Sequence, residues 1–219
     1  MALPSFLELV NDVLVRLREP EVSAINENVL SKIIGKFVND AKRQVEDSYN
    51  WNALTSTVTV VTVPNTFNYG MTGSGARFKI IDAFNSTTKN PLIPVSTQWL
   101  NQEYLGVTAL PTGATSNYNF NGITTTGDTQ VDIYPVPDIV YTLFFNMYIP
   151  QEPLLADSDQ MLVPSDPVIH LATAKALVER GEDGGTQSSE MYALYKQVLA
   201  DYIAIESSRY IEEDSWDAV

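Results

Sequence analysis

The chain of 219 residues contains no cysteine and a single histidine, His170. Without thiols there is no disulfide, no thiolate metal centre and no cysteine nucleophile, and one imidazole cannot form a two-histidine metal site. Cations are scarce: 13 Lys and Arg stand against 27 Asp and Glu, a formal charge of −14. Nucleic-acid backbones are gripped by clustered cations that release counterions, so this balance argues against a DNA- or RNA-binding surface. Long hydrophobic runs are missing too. Ile139 to Ile149 is interrupted by Thr142 and Asn146 and falls well short of the roughly 20 residues that a membrane helix needs. Met1 to Leu9 carries Pro4 and Glu8 but no Lys or Arg, unlike the basic start of a secretory signal. The expectation is a soluble, mature sequence with a proper core and no membrane partner.

The acidity is unevenly placed. Residues 151–219 hold four basic and fourteen acidic side chains, which is −10 of the −14. Such a surface keeps a protein soluble, and it would also let DNA pass without sticking.

Two amphipathic helices open the chain. Ser5 and Glu8 form a Ser-x-x-Glu capping box, after which Phe6, Val10, Val13, Leu14 and Leu17 recur at helical spacing and stop before Pro20. A second helix is predicted from Asn28 to Asn50, with Leu30, Ile34, Phe37, Val38, Ala41, Val45 and Tyr49 on one side. Gly35 weakens it locally by about 1 kcal/mol. At Trp51 the pattern changes, and Thr55 to Val63 reads as a β-branched, mostly alternating strand. Arg77 to Phe84, Val131 to Tyr134 and Ile139 to Ile149 are further strand candidates, whereas Thr108 to Gly127 reads as an extended loop or a long hairpin tip. No 3.6-residue period is evident between residues 64 and 150.

Helices return at Asp166-Pro167, with Asp as cap and Pro at the first helical position. Small residues follow until the turn Gly181 to Gly185, and then a stripe of Met191, Tyr195, Val198, Leu199, Tyr202 and Ile205. The fold class predicted is α+β: a four-helix bundle formed by residues 1–53 and 151–211, an antiparallel β-domain inserted over 54–150, and an acidic tail at 212–219.

Catalytic patterns are not found. His170 lies in an Ala-rich helix with no Gly-x-Ser-x-Gly elbow in the chain. Asp157-Ser-Asp159 lacks the length of a calcium loop and reads as a solvated loop before a strand-like Gln160 to Val163. Gly70 to Gly75 is glycine-rich, but no Lys-Ser or Lys-Thr follows, so it reads as a flexible hairpin loop rather than a phosphate cradle. Any two of 27 carboxylates could meet in space, so a cell-wall hydrolase stays an alternative. A glycan platform of Tyr104, Tyr118, Phe120 and Tyr134 is another. The main expectation is that the chain is no enzyme and uses no cofactor and no metal.

Three segments together resemble the head-to-tail adaptor family of tailed phages, also called tail tubular protein A in short-tailed phages. The first is Val10 to Ser23, similar to an opening helix that ends in a Gly-Glu-Pro-x-Val-Ser type of turn, with Arg18 where Gly is usual. The second is Ala41 to Val45 leading to Tyr49-Asn-Trp51-Asn52. The third is Ile133-Tyr-Pro-Val-Pro137, the strand Tyr141 to Tyr148, and Leu162-Val-Pro164 before an Ala-rich helix and a Glu-Asp-Gly turn. They span about half the chain and leave residues 66–129 unmatched.

The resemblance implies a virion protein of the phage neck, assembled in the host cytoplasm. Its partners would be the portal protein, a tail tube or nozzle protein, and further copies of itself in a ring of about twelve, closed rings being a common solution for identical subunits. The bundle would form the ring and the β-domain would face the tail. Tyr210, Ile211, Trp216 and Val219 would dock on the portal, an aromatic in a pocket being a usual anchor. Glu206, Glu212, Glu213 and Asp214 would line the channel through which DNA passes without specific binding. Another tail-completion protein is the nearest alternative.

Overall fold

The structure is a computed structural model that describes residues 3–105, 109–181 and 185–209. It is α+β, and the chain divides into two compact units: one of the residues up to Leu54 together with those from Gln151 onward, and one of Thr55–Pro150.

The first unit contains α1 (Phe6–Arg16), α2 (Val29–Ser48), α4 (Ser165–Arg180) and α5 (Thr186–Ser207). Helix α1 starts where the capping box predicts: the Ser5 hydroxyl accepts from Glu8 N–H at 3.3 Å, and the Glu8 carboxylate accepts from Ser5 N–H at 2.7 Å. These bonds hold the Glu8 carboxyl below its usual range. Helix α2 is capped by Asn28, whose side chain accepts from Ser31 N–H at 2.8 Å. Phe6, Leu9, Val10 and Val13 of α1 share a core with Ile34, Val38, Ala41 and Val45 of α2 and Val168, Leu171 and Ala172 of α4. Gly35 sits at the tightest point. A Cβ there would lie 3.2 Å from Phe6 Cζ and 3.3 Å from Ile25 Cγ2, so the residue that weakens the isolated helix is the one that lets its neighbours close in.

Helix α1 ends in a Schellman turn, with Arg18 N–H donating to Val15 O and Glu19 N–H to Leu14 O, both at 3.0 Å. Arg18 takes φ +62°, the left-handed region that costs an L side chain about 1–2 kcal/mol. A glycine here, as the resemblance implies for the family's turn, would relieve this strain. Arg18→Gly is expected to stabilise the chain by about 0.5–1 kcal/mol, after glycine's extra chain entropy is subtracted. Thermal unfolding should show the gain, and Arg18→Ala, which keeps a Cβ, should not.

Helix α4 begins one residue before Asp166 and has no side-chain cap; Asp166 instead accepts from the Tyr202 hydroxyl at 2.7 Å, which pushes the Tyr202 pKa up to about 12. Asp157 to Asp159 is a solvent-accessible loop, as expected, and hydrogen bonds fix its shape. Its carbonyls accept from Phe6 N–H at 2.8 Å and Leu7 N–H at 3.1 Å, and the Asp159 carboxylate accepts from Leu155 and Ala156 N–H at 2.7 and 2.8 Å, lowering its pKa. Of the strand-like Gln160 to Val163, only Gln160 forms a bridge, to Ser5.

The second unit holds β1 (Thr55–Val61), β2 (Asn68–Gly70), β3 (Lys79–Asn85), β4 (Asn90–Pro91), β5 (Ile93–Pro94), α3 (Thr97–Leu105), β6 (Asn117–Ile123), β7 (Thr129–Tyr134) and β8 (Thr142–Tyr148). They form two four-stranded sheets, in the orders β1-β8-β3-β4 and β2-β7-β6-β5. Pairing is antiparallel except for β5 with β6, which is parallel. Alternation in β1 and β8 puts Val58, Val60, Leu143, Phe145 and Met147 into a core shared with Met71, Tyr118, Val131 and Ile133.

The region read as a loop or hairpin tip contains β6, which pairs with β7 across a turn closed by Thr124 N–H to Asp128 O at 2.7 Å. Helix α3 gave no periodic signal because it buries only Leu100. The glycine-rich segment is not a hairpin loop either, since it joins β2 to β3, strands of different sheets.

Candidate interaction surface

Each candidate for chemistry meets a partner that accounts for it. His170 is 9% exposed, and its Nδ1 lies 3.3 Å from Arg16 Nη1. A guanidinium can only donate, so Nδ1 accepts and the proton of the neutral ring sits on Nε2. Burial, then the Arg16 charge, lowers the His170 pKa below its ordinary 6.5. The sign follows: the fold prefers the neutral ring, so this stabilisation is complete above the unfolded pKa and is lost as pH falls through the lower folded value. Chemical-denaturation midpoints are expected to drop as pH falls below the ordinary histidine value of 6.5, and the drop should be smaller in His170→Gln.

The glycine-rich loop points its amides at a carboxylate of the chain itself. Asp128 Oδ1 accepts from Gly73 N–H at 3.0 Å and Gly75 N–H at 3.2 Å, and the Ser74 hydroxyl accepts from Thr129 N–H at 3.1 Å. The aromatic residues pack on one another. Tyr118 is 3% exposed and meets Phe145 edge-on at 5.4 Å. Tyr104 and Tyr134 are edge-on at 5.7 Å. The Tyr104 hydroxyl donates to Ile133 O, and that of Tyr134 to Glu103 at 2.8 Å. Among the described residues, no group of three His, Asp or Glu is placed to hold a metal ion, and no helix is long and apolar enough to cross a membrane.

The proposed docking residues Tyr210, Ile211, Trp216 and Val219, and the acidic Glu212, Glu213 and Asp214, lie outside the described residues. Glu206 is described, and it is not free in the helical unit. It is 8% exposed, accepts from Asn52 N–H at 2.9 Å and pairs with Arg209 at 3.1 Å. It ties the last turn of α5 to the residue after Trp51, whose indole N–H donates to Val45 O at 2.7 Å.

Among the described residues, the helical unit carries exposed apolar surface. A groove of about 550 Å³ runs between α2, α4 and α5, lined among others by Phe37, Leu171, Ala174, Val178 and Tyr192. Val178 is 67% exposed, Tyr192 45% and Ile205 55%. Ile205 belongs to the predicted stripe, yet α5 buries only Ser188, Tyr195 and Glu206, and Leu199, Tyr202 and Ile203 pack partly against the core. The exposure of Val178 and Tyr192 left no signal in the sequence because helical spacing reports which residues share a face, not whether another element covers it.

The helical unit thus carries open apolar surface, and the β unit has a core of its own. Comparison with curated proteins found no match. The family described as SU10 adaptor protein matches residues 4–215, nearly the whole chain and both units, so the chain belongs to this family of structural phage head-to-tail adaptors.

Proposed function

We propose that the chain is a ring-forming adaptor of the phage neck that joins the portal to the tail. The observation that carries the reading is the family match over residues 4–215. In it the helical bundle of residues 1–53 and 151–211 makes the ring, the β-domain of 54–150 faces a tail tube or nozzle protein, and about twelve copies close the circle. The exposed apolar positions of α4 and α5 support a neighbour-to-neighbour contact in the helical part. The protein is a virion component assembled in the host cytoplasm and performs no catalysis. Quantitative mass spectrometry of purified particles tests this: a one-to-one ratio with the portal is expected, and absence from the particle overturns it.

Within that reading, Tyr210 to Val219 dock on the portal with Trp216 as the anchor. Deleting residues 211–219 is expected to abolish portal binding while circular dichroism stays unchanged, and binding at wild-type strength refutes the assignment. Carboxylates of the last third line the channel and keep DNA from adhering. Because Glu206 is engaged with Asn52 and Arg209, this role rests mainly on Glu212, Glu213 and Asp214. Neutralising those three should slow DNA ejection, and an unchanged rate counts against it.

A further inference from the structure

Sheets end in edge strands, and unpaired edge amides and carbonyls are a template for another chain unless proline, lysine, a bulge or shortness blunts them. Among the described residues, three of the four sheet edges in this unit are blunted. β2 is three residues long, and β4 and β5 are two residues each and end in Pro91 and Pro94. β1 is different. It runs seven residues, Thr55–Val61, in unbroken register with β8 and ends the sheet order. It has no proline, no charge and no bulge.

The register tells which backbone groups face outward. Thr62 N–H donates to Tyr141 O at 2.9 Å, and pairs alternate along an antiparallel ladder. Val60 and Val58 therefore bond inward to Leu143 and Phe145, and the N–H and C=O of Thr55, Thr57, Thr59 and Val61 point away from the sheet. The side chains of these four residues are exposed, and among the described residues no strand pairs with β1 on that side. Just beyond, the Tyr69 hydroxyl accepts from Val63 N–H at 2.9 Å and closes the edge.

We propose that this edge is a self-recognition site: in the free protein, two copies join β1 to β1 in antiparallel register centred on Val58, making one continuous sheet. That register sets Thr57 against the partner's Thr59 and Thr55 against the partner's Val61, so every outward group meets an outward group, and Thr–Thr pairs are favourable neighbours. Electrostatics selects the same contact. At −14 the copies repel one another over most of their surface, but no charged residue occurs between Asp47 and Arg77. β1 lies within that neutral stretch, so antiparallel self-pairing sets no like charges opposite each other. Exposed Val61, Val63, Ile139 and Val140, each more than 50% accessible, extend the uncharged strip. The contact is isologous and closes at two copies. It therefore describes the chain before assembly and stands independently of the neck-ring reading.

Light scattering and sedimentation on the purified chain test this. The expected mass is twice that of one chain, falling to a single chain in both Thr59→Lys and Val61→Lys, while Gln187→Lys on α5 stays dimeric. Amide exchange gives a readout that needs no variant: the Thr57, Thr59 and Val61 amides should exchange more slowly as protein concentration rises. A wild-type chain of single mass, a dimer that survives both lysine variants, or edge amides that exchange fast at every concentration would overturn the proposal.

Discussion

Lys42→Ala is expected to lower the melting temperature by on the order of 10 °C, from a loss of about 3–5 kcal/mol. Lys42 and Glu46 form an ion pair at 3.0 Å with side chains 3% and 2% exposed. Lys42 Nζ also donates to Gln151 O at 2.7 Å and Glu152 O at 3.1 Å, and Glu46 accepts from Gln151 N–H at 3.2 Å. One turn earlier, Asn39 clasps Leu154, donating to its carbonyl at 3.0 Å and accepting from its N–H at 2.8 Å. This face of α2 thus becomes a polar ladder that fastens the segment returning from Pro150. Removing the ammonium leaves a buried carboxylate without its counter-charge and takes the Lys42 donor from two carbonyls, and that desolvation drives the loss rather than the attraction itself. The double variant Lys42→Met/Glu46→Leu should recover part of the stability because no unpaired charge remains. A single variant within about 1 kcal/mol of wild type would show that water reaches the pair.

The second large effect lies in the β unit. Phe145→Ala is expected to destabilise that unit by about 3–5 kcal/mol, the usual loss for a buried Phe truncated in a packed core. Phe145 is fully buried and meets Tyr118 at 5.4 Å and Phe120 at 6.4 Å, so no single neighbour can swing in to fill the space. The two units have separate cores with no residue in common. The near-ultraviolet signal of the Tyr and Phe cluster should therefore be lost at lower temperature than the helical far-ultraviolet signal. Coincident loss of both, at the wild-type temperature, would mean that the site repacks.

Much of this architecture was legible because it is local. A capping box needs only Ser5 and Glu8 three residues apart, a strand such as β1 only alternating β-branched residues, and the opening turn of the family only the Arg-Glu-Pro-Glu-Val-Ser run that follows α1. The scarcity of cations and the lack of cysteine are properties of composition, so the function classes they argue against needed no fold. Helix α3 and strand β6 escaped because each buries little, and periodicity is a record of burial. For the acidic candidates, residue type carried no information on whether a carboxylate faces solvent or, like Glu206, accepts from a backbone amide 154 residues away.

By itself the sequence determined the four helices of the first unit, the strands β1, β3, β7 and β8, their order and the family, since these depend on neighbours within a few turns and on motifs that keep their spacing. Tertiary structure alone decided which odd residues matter. Gly35 is a contact point because Phe6 and Ile25 close on it. Arg18 is strained because a Schellman turn demands a left-handed residue there. Lys42 and Glu46, ordinary helix-surface charges in the sequence, are buried because a distant segment folds over them. β1 is an open edge because of strand order, which is set by pairings such as Val58 with Phe145 that join residues far apart in the chain. Such long-range contacts leave no periodic trace, since the physical partner that fixes each residue's role is not its neighbour in sequence.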